Sequence, residues 1–186
     1  DDAIRWRALV AQDEALQIDG SPSSRAAGLD ALEALAPRVG LDAMAEAAWR
    51  RCYHARITRD RGAALHHGAL AIDLAEGASP RLAALAHMEL SLLAANEGRF
   101  AAARAHAERA AGAAQAAGDA GVGARAAATR GYVLSESGDD AGACALLDAA
   151  AGAYRALGDV RREAIQRGNL GFLQLRLGRF DDARVS

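Results

Sequence analysis

The chain has 186 residues and a mass of 19.2 kDa, and it combines 52% hydrophobic residues with only 4% aromatic ones. Alanine is the commonest residue, with 51 copies, and all 22 of the Lys and Arg residues are arginine. The apolar content argues against intrinsic disorder, and the excess of a strong helix former that is depleted in strands argues against an all-β sandwich. A formal net charge of -2 and a pI near 6.2 argue against direct nucleic-acid binding.

Apolar segments, the N-terminal residues and the cysteines indicate the cellular compartment. No segment approaches the roughly 18 consecutive apolar residues of a membrane-spanning helix, and the start at Asp1-Asp2-Ala3 has no signal-peptide pattern. The two cysteines, Cys52 and Cys144, fit free thiols in a reducing compartment better than a disulfide framework. We therefore predict a cytoplasmic protein with no membrane partner, and we expect the chain to be a piece cut from a longer one.

Helical stretches alternate with glycine-containing turns along the whole chain. Gly-Asp pairs supply a left-handed glycine to end one helix and an aspartate acceptor to cap the next. In chain order, the predicted helices cover residues 2–18, 23–37, 41–57, 60–76, 80–97, 100–117, 121–137, 140–157 and 160–177, and a tenth begins near Phe180.

Three sets of markers repeat every 40 residues. The sets are Gly98, Gly138 and Gly178 at turns, Gly118-Asp119 and Gly158-Asp159 between hairpins, and Ala63, Ala103, Ala143 and Ala183 in the second helices. A single hairpin cannot bury its apolar face, so neighbouring hairpins must stack, and alanine lets the helices approach closely. The prediction is an all-α, right-handed α-α superhelix in one domain over residues 1–186, with about five antiparallel hairpins. The hairpins cover residues 2–37, 41–76, 80–117, 121–157 and 160–186, the last one truncated.

These markers resemble the tetratricopeptide repeat (TPR). The pattern is clearest in Asn169-Leu170-Gly171, Gly178-Arg179-Phe180 and Ala183, and the resemblance covers residues 41–186. The 40-residue period is longer than the 34 residues of the standard repeat. With Leu157-Gly158-Asp159 it resembles the long repeats of bacterial signalling proteins: MalT-like activators, AfsR-like regulators, and multidomain kinases that carry an ATPase module. The resemblance implies a sensor arm that binds an effector, a partner or that module.

The pattern weakens toward the N-terminus. Arg51 stands where the repeat has a small residue, and Thr58 stands where it has the turn glycine. The first forty residues match only as a helical hairpin of similar spacing.

Residues that could support catalysis or metal binding form no constellation. A Walker nucleotide loop needs lysine, which this chain lacks, and Gly121-Val122-Gly123 lies between helices as a flexible turn. No two histidines have the i, i+4 spacing of helical metal ligands, although His66 and His106 share the 40-residue phase. We therefore predict no enzyme activity, no cofactor and no metal in this segment, while the parent chain could carry an ATPase, kinase or cyclase domain.

Cysteine and the large aromatic residues favour packing roles. Cys52 lies beside Arg50-Arg51 and His54, which would lower the pKa of its thiol, but a buried structural thiol is the preferred interpretation. The aromatic residues Trp6, Trp49, Tyr53 and Tyr154 are predicted to fill space between alanine-lined helices.

The resemblance places the first helix of each hairpin along a concave groove. The 40-residue phase then aligns three rows: Arg56, Asn96, Glu136 and Arg176; Cys52, Leu92, Tyr132 and Phe172; and Ala45, Leu85, Arg125 and Ile165. From these rows the predicted binding residues are Arg56, Asn96, Glu136, Arg176, Leu92, Tyr132, Phe172 and Arg125. Arginine suits carboxylate recognition because its planar fork bonds bidentately. Polar rows on helices also occur as ordinary solvated faces.

The leading hypothesis is a non-enzymatic scaffold or sensor arm that binds a protein or peptide in this groove, or another domain of its parent. By resemblance, the parent is a bacterial signalling or transcriptional regulator. Two alternatives stay open: a domain that senses a small-molecule effector, and a structural spacer or self-association module.

Overall fold

A computed structural model describes residues 1–19 and 22–185 of the chain. Ten helices and no strand occur in these residues, and their bounds agree with the predicted helices to within a few residues. The helices are α1 (Asp2–Asp19), α2 (Pro22–Val39), α3 (Leu41–Ile57), α4 (Arg61–Ala75), α5 (Pro80–Asn96), α6 (Phe100–Ala117), α7 (Ala120–Glu136), α8 (Asp140–Ala156), α9 (Val160–Arg176) and α10 (Phe180–Ala183). Ser186, the last residue of the predicted fifth hairpin, lies outside the described residues.

Aspartates begin several of these helices. The side chain of Asp139 accepts a hydrogen bond from the Gly142 amide at 2.9 Å, and that of Asp159 accepts one from the Arg162 amide at 2.9 Å. Asp60 and Asp119 cap α4 and α7 in the same way. Each cap satisfies an amide that the first helical turn leaves without an acceptor.

The turns between paired helices use a left-handed residue. Gly98, Gly138 and Gly178 have φ of 71°, 90° and 73°. In the second hairpin, where Thr58 replaces glycine, the left-handed conformation moves one residue on, to Arg59 with φ 63°. The Thr58 side chain caps α3 instead, since its hydroxyl donates to the carbonyl oxygen of His54 at 2.9 Å. The missing glycine therefore shifts the turn without ending the repeat.

Helical contacts divide the chain into two compact units, Asp1–Glu89 (unit 1) and Leu90–Ser186 (unit 2), with the division inside α5. Unit 1 has an apolar core in which Trp6 of α1 packs with Leu29, Leu32 and Leu35 of α2 and with alanines of α3. Trp49 is also buried, at 6% exposure. The space-filling roles predicted for both tryptophans are confirmed.

Unit 2 is built largely from alanine and leucine. Tyr154 packs with Ala124 and Ala150, and Leu147 packs with Leu170 and Leu173. Gly131 holds the small-residue position of the repeat, and a Cβ there would lie 3.0 Å from Leu147 Cδ2. The small residue therefore lets α7 and α8 approach closely. That the hairpins of both units form one domain stays a prediction.

Within the described part of the chain, no helix is both long and apolar enough to cross a membrane.

Candidate functional site

The surface of unit 1 that contains Arg56 is built from α2, α3 and α5. Arg56, near the end of α3, donates from Nε to Glu89 Oε2 at 2.7 Å; the Glu89 side chain is fully buried and that of Arg56 is 17% exposed. Arg56 Cζ lies 5.5 Å from the centroid of the Tyr53 ring, and Arg25 Cζ lies 4.9 Å from the same centroid. The half-buried Tyr53 ring thus contacts two guanidinium groups, an arrangement that cation–π attraction stabilises. We call Tyr53 and Arg56 the unit 1 surface.

Beneath this surface is a cluster of buried charges that the sequence analysis did not predict. Asp13 accepts hydrogen bonds from Arg25 Nε at 2.6 Å and from Arg50 Nη1 at 2.7 Å, and all three residues are at most 2% exposed. Arg50 also donates to Glu46 at 2.7 Å. Burial alone would raise the pKa of Asp13, but the hydrogen bonds from the arginines and from Gln17 outweigh it and hold that pKa below its ordinary value. The cluster ties α1, α2 and α3 together.

Two predicted binding residues of unit 2 come into contact. The Tyr132 hydroxyl of α7 donates to Asn96 Oδ1 of α5 at 2.8 Å, so corresponding ends of consecutive first helices are adjacent. Leu92 lies half-buried one turn before Asn96 on α5. Glu136, at the end of α7, is exposed and forms no ion pair with any described residue.

Phe172 and Arg176 form the α9 part of this surface. The Phe172 side chain is 61% exposed, and Arg176 Cζ lies 5.9 Å from the centroid of its ring. Arg176 is 44% exposed and pairs through Nε with Asp140 Oδ2 at 3.1 Å. The other oxygen of Asp140 is buried and has no hydrogen-bond donor among the described residues. We call Asn96, Tyr132, Glu136, Phe172 and Arg176 the unit 2 surface.

The remaining members of the predicted rows divide between surface and core. Arg125 is half-buried on α7, and Ile165 is 48% exposed on α9. The other three, Ala45, Leu85 and Cys52, are at most 3% exposed and add no binding surface. Cys52 is 1% exposed, which confirms the preferred interpretation of it as a buried thiol. Burial, together with the charge of Glu89, raises its pKa to about 12.

The histidines provide no metal centre that the structure can identify. His66 and His67 lie with their rings in a T-shaped contact at 5.0 Å, and burial lowers the pKa of His67 and of His106. Groups of three or more residues that could hold a metal ion are absent from the described residues.

The residues that sequence reasoning missed are Asp13, Arg25 and Glu89. Glu89 shares its 40-residue phase with Trp49 and Thr129, which are buried, and with Asn169, which is exposed, so the phase did not predict its burial. Asp13 and Arg25 share no phase with Arg50, so the spacing gave no indication of their contact.

Comparison with known proteins establishes the fold and not the family. No known protein family matches the sequence, and no curated protein matches it either. Among solved structures, a Rap protein complexed with competence and sporulation factor superposes with a TM-score of 0.75 at 15% identity, over 96% of this chain and 49% of the other. The apo form of RapI gives a TM-score of 0.73 at 9% identity, over 97% of this chain and 67% of the other.

The chain therefore spans about half the length of the Rap protein in the complex and two thirds of RapI. Rap proteins have TPR-like helical repeats. These likenesses confirm the predicted fold class, an all-α, TPR-like helical solenoid. The likeness to MalT and AfsR repeats stays a prediction.

Proposed function

We propose that this chain is a non-enzymatic scaffold that binds a protein or peptide partner through the groove-facing side of its first helices. The observation that carries the proposal is the exposed pair of Phe172 and Arg176. The Phe172 side chain is 61% exposed, and Arg176 Cζ lies 5.9 Å from the centroid of its ring. Binding hot spots are enriched in aromatic residues and arginine. An exposed pair of this kind favours a partner that buries the ring and bonds to the guanidinium.

Charge on the unit 2 surface adds a preference for the partner. Glu136 and Asp140 are acidic, and Arg176 is the basic residue that pairs with Asp140. Glu136 thus remains available to pair with a basic side chain or an amino terminus. A partner that is apolar at one position and basic at a nearby one fits this surface best.

The comparisons support the partner class. A Rap protein of the same fold has been solved in complex with competence and sporulation factor. That complex supports the proposal that this chain also binds a partner. By the resemblance of its repeats, we place the chain in a larger bacterial signalling or transcriptional regulator, linked to an ATPase or kinase. There it would couple partner binding to a switch.

The test is selection of a phage-displayed random-peptide library on the full chain. The same selection is made on a variant that combines Phe172→Ala with Arg176→Ala. A matched control combines Leu157→Ala with Arg104→Ala, an exposed apolar residue and an exposed arginine that lie outside the predicted rows. We expect peptides that bind the wild type and the control alike but bind the first variant at least about tenfold more weakly. Failure to enrich any peptide, or equal binding to all three chains, would contradict the proposal.

A further inference from the structure

One side of α9 carries exposed residues that are spaced alternately four and three positions apart. These residues are Arg161, Ile165, Gly168, Phe172 and Leu175, and we call them the α9 stripe. Ile165, Phe172 and Leu175 are 48%, 61% and 52% exposed. Apolar residues at this spacing are the pattern through which one helix packs lengthwise against another.

The corresponding residues of α7 are covered by helices of the same chain. The residues forty positions before the stripe are each half-buried: Gly121, Arg125, Ala128, Tyr132 and Ser135. Ala128 packs against a cluster that contains Ala150 and Tyr154 of α8, and Tyr132 packs against one that contains Ala95 of α5. Because α7 and α9 are equivalent helices of one repeat, the structure that matches the exposed α9 stripe is a further helix.

Gly168 is at the centre of the stripe and leaves a depression between Ile165 and Phe172. A Cβ at Gly168 would meet nothing within 4 Å, so packing among the described residues does not require glycine there. Elsewhere in unit 2, Leu147 Cδ2 of α8 lies 3.0 Å from the position of a Cβ at Gly131, which shows how a large apolar side chain fits over a glycine. A partner helix with a large apolar residue opposite Gly168 would make the same kind of contact.

The one charged residue of the stripe is Arg161. Its charge influences the nearby Asp159, but Arg161 forms no ion pair with a described residue. Arg176, which follows the last residue of the stripe, is paired with Asp140. A second copy of α9 fits this surface poorly, because two stripes bring Arg161 next to Arg161 when parallel and next to Arg176 when antiparallel, and like charges repel. An acidic residue on a different helix complements Arg161 instead.

We propose that the α9 stripe binds an amphipathic helix of a partner protein, which packs lengthwise and presents a large apolar residue to Gly168 and an acidic residue to Arg161. This inference rests on the proposed function, since it states the conformation of the partner that the unit 2 surface binds through Phe172. From residue 161 to residue 175 the helix rises about 21 Å, so a partner helix of about 15 residues covers the stripe.

The experiment selects a phage-displayed library of helical peptides on the full chain. The library fixes leucine or phenylalanine at alternating spacings of four and three, places glutamate or glutamine at each end, and varies the other positions among helix-favouring residues. Selected peptides are synthesised in three forms: as selected, with one central residue on the polar face changed to proline, and with each glutamate changed to glutamine. Their dissociation constants are measured by fluorescence polarisation.

The chain variants are Gly168→Leu, which fills the depression, and Arg161→Gln, which removes the charge. The matched control for the first is Gly152→Leu, at an exposed glycine of α8 where a Cβ also meets nothing within 4 Å. The matched control for the second is Arg104→Gln, at an exposed arginine of α6. Circular dichroism checks that each variant folds.

We expect the proline peptide to bind the wild type at least about tenfold more weakly, because a lengthwise contact needs a continuous helix. Gly168→Leu should weaken binding by a similar factor, while Gly152→Leu changes it by less than about twofold. Arg161→Gln should weaken binding of the glutamate peptide by about threefold, the effect of one exposed ion pair, and leave the glutamine peptide unchanged. If Gly168→Leu fails to fold, Leu175→Gln tests the same stripe and should weaken binding by about fivefold, with Leu157→Gln as its control.

Two results would overturn the inference and leave the proposed function intact. One is enrichment from the random-peptide library alone, with peptides that lose binding to Phe172→Ala/Arg176→Ala but tolerate proline and bind Gly168→Leu as tightly as the wild type, which would show an extended partner. The other is a dimer of the chain in sedimentation that Gly168→Leu dissociates, which would make the partner a second copy. Failure of both libraries to enrich any peptide would overturn both proposals together.

Discussion

Asp13 accepts two hydrogen bonds from Arg25, at 2.6 Å and 3.0 Å, where both side chains are almost completely buried. Asp13 belongs to α1 and Arg25 to α2, so the pair joins the two helices of the first hairpin through charge. Arg50 of α3 adds a third helix to the same carboxylate. Paired in this way, buried charges are tolerated, but either partner alone would be strongly unfavourable.

Asp13→Asn should therefore destabilise unit 1. The neutral amide leaves two buried arginines with one full charge unmatched, and we expect the free energy of unfolding to fall by about 3–5 kcal/mol. Both tryptophans of the chain, Trp6 and Trp49, lie in unit 1, so urea denaturation followed by tryptophan fluorescence reports this unit. Arg38→Ala is the control, because it removes an exposed pair with Asp2 and should cost less than about 1 kcal/mol. Equal stability of Asp13→Asn and wild type would show that the pair contributes nothing.

The same carboxylate gives unit 1 a dependence on acid. Because the pKa of Asp13 is lower in the folded chain than in the unfolded one, its stabilisation is complete above the unfolded pKa of about 4 and is lost as the pH falls through the folded pKa. The free energy of unfolding should thus decline below about pH 4 more steeply in the wild type than in Asp13→Asn. Tryptophan-detected denaturation over a series of pH values measures both slopes. Parallel slopes would contradict this assignment.

Two glycines of unit 2 should respond to alanine in opposite directions. A Cβ at Gly131 would lie 3.0–3.1 Å from the Leu147 side chain, which is 3% exposed and cannot withdraw, so Gly131→Ala should cost about 1–3 kcal/mol. A Cβ at Gly152 in α8 meets nothing within 4 Å, and Gly152→Ala should stabilise the helix by about 0.4–1 kcal/mol. Thermal unfolding followed by circular dichroism compares the two. If both variants shift the thermal unfolding midpoint in the same direction, the contact between position 131 and Leu147 does not limit the size of the residue at 131.

Cys52 should be chemically silent in the folded chain. With a pKa of about 12 and 1% exposure, it is neither ionised nor accessible near about pH 8, whereas an ordinary thiol is partly ionised there. In a Cys144→Ser variant, an aromatic disulfide reagent should modify Cys52 only after denaturant is added. Rapid modification without denaturant would mean that α3 is open to solvent at this position.

The fold could be predicted from the sequence because its determinants are local and periodic. Glycines at 98, 138 and 178 and aspartates at 139 and 159 set turns and caps by conformational preferences that need no tertiary information. Even the departure at Thr58 was visible, although the transfer of the left-handed conformation to Arg59 was not.

The candidate surfaces could be predicted only in part. Phase alone aligned Asn96 with Glu136 and Arg176, and the contact between Tyr132 and Asn96 agrees with that alignment of helix ends. Phase does not determine what a neighbouring helix presents, so the pairing of Arg56 with Glu89 and the buried charges at Asp13 were missed. Burial of Cys52 within a predicted groove row has the same origin, since exposure depends on helix packing and not on spacing.

The central claim, that the groove-facing side of the first helices binds a peptide, is tested most directly by mapping amide NMR shifts of the full chain with a library-selected peptide. The account predicts that the largest shift changes occur at the unit 2 surface, around Asn96, Tyr132, Glu136, Phe172 and Arg176, while exposed residues of α6 and α8 stay unchanged. Shift changes concentrated on α6 and α8, with the unit 2 surface unaffected, would contradict it.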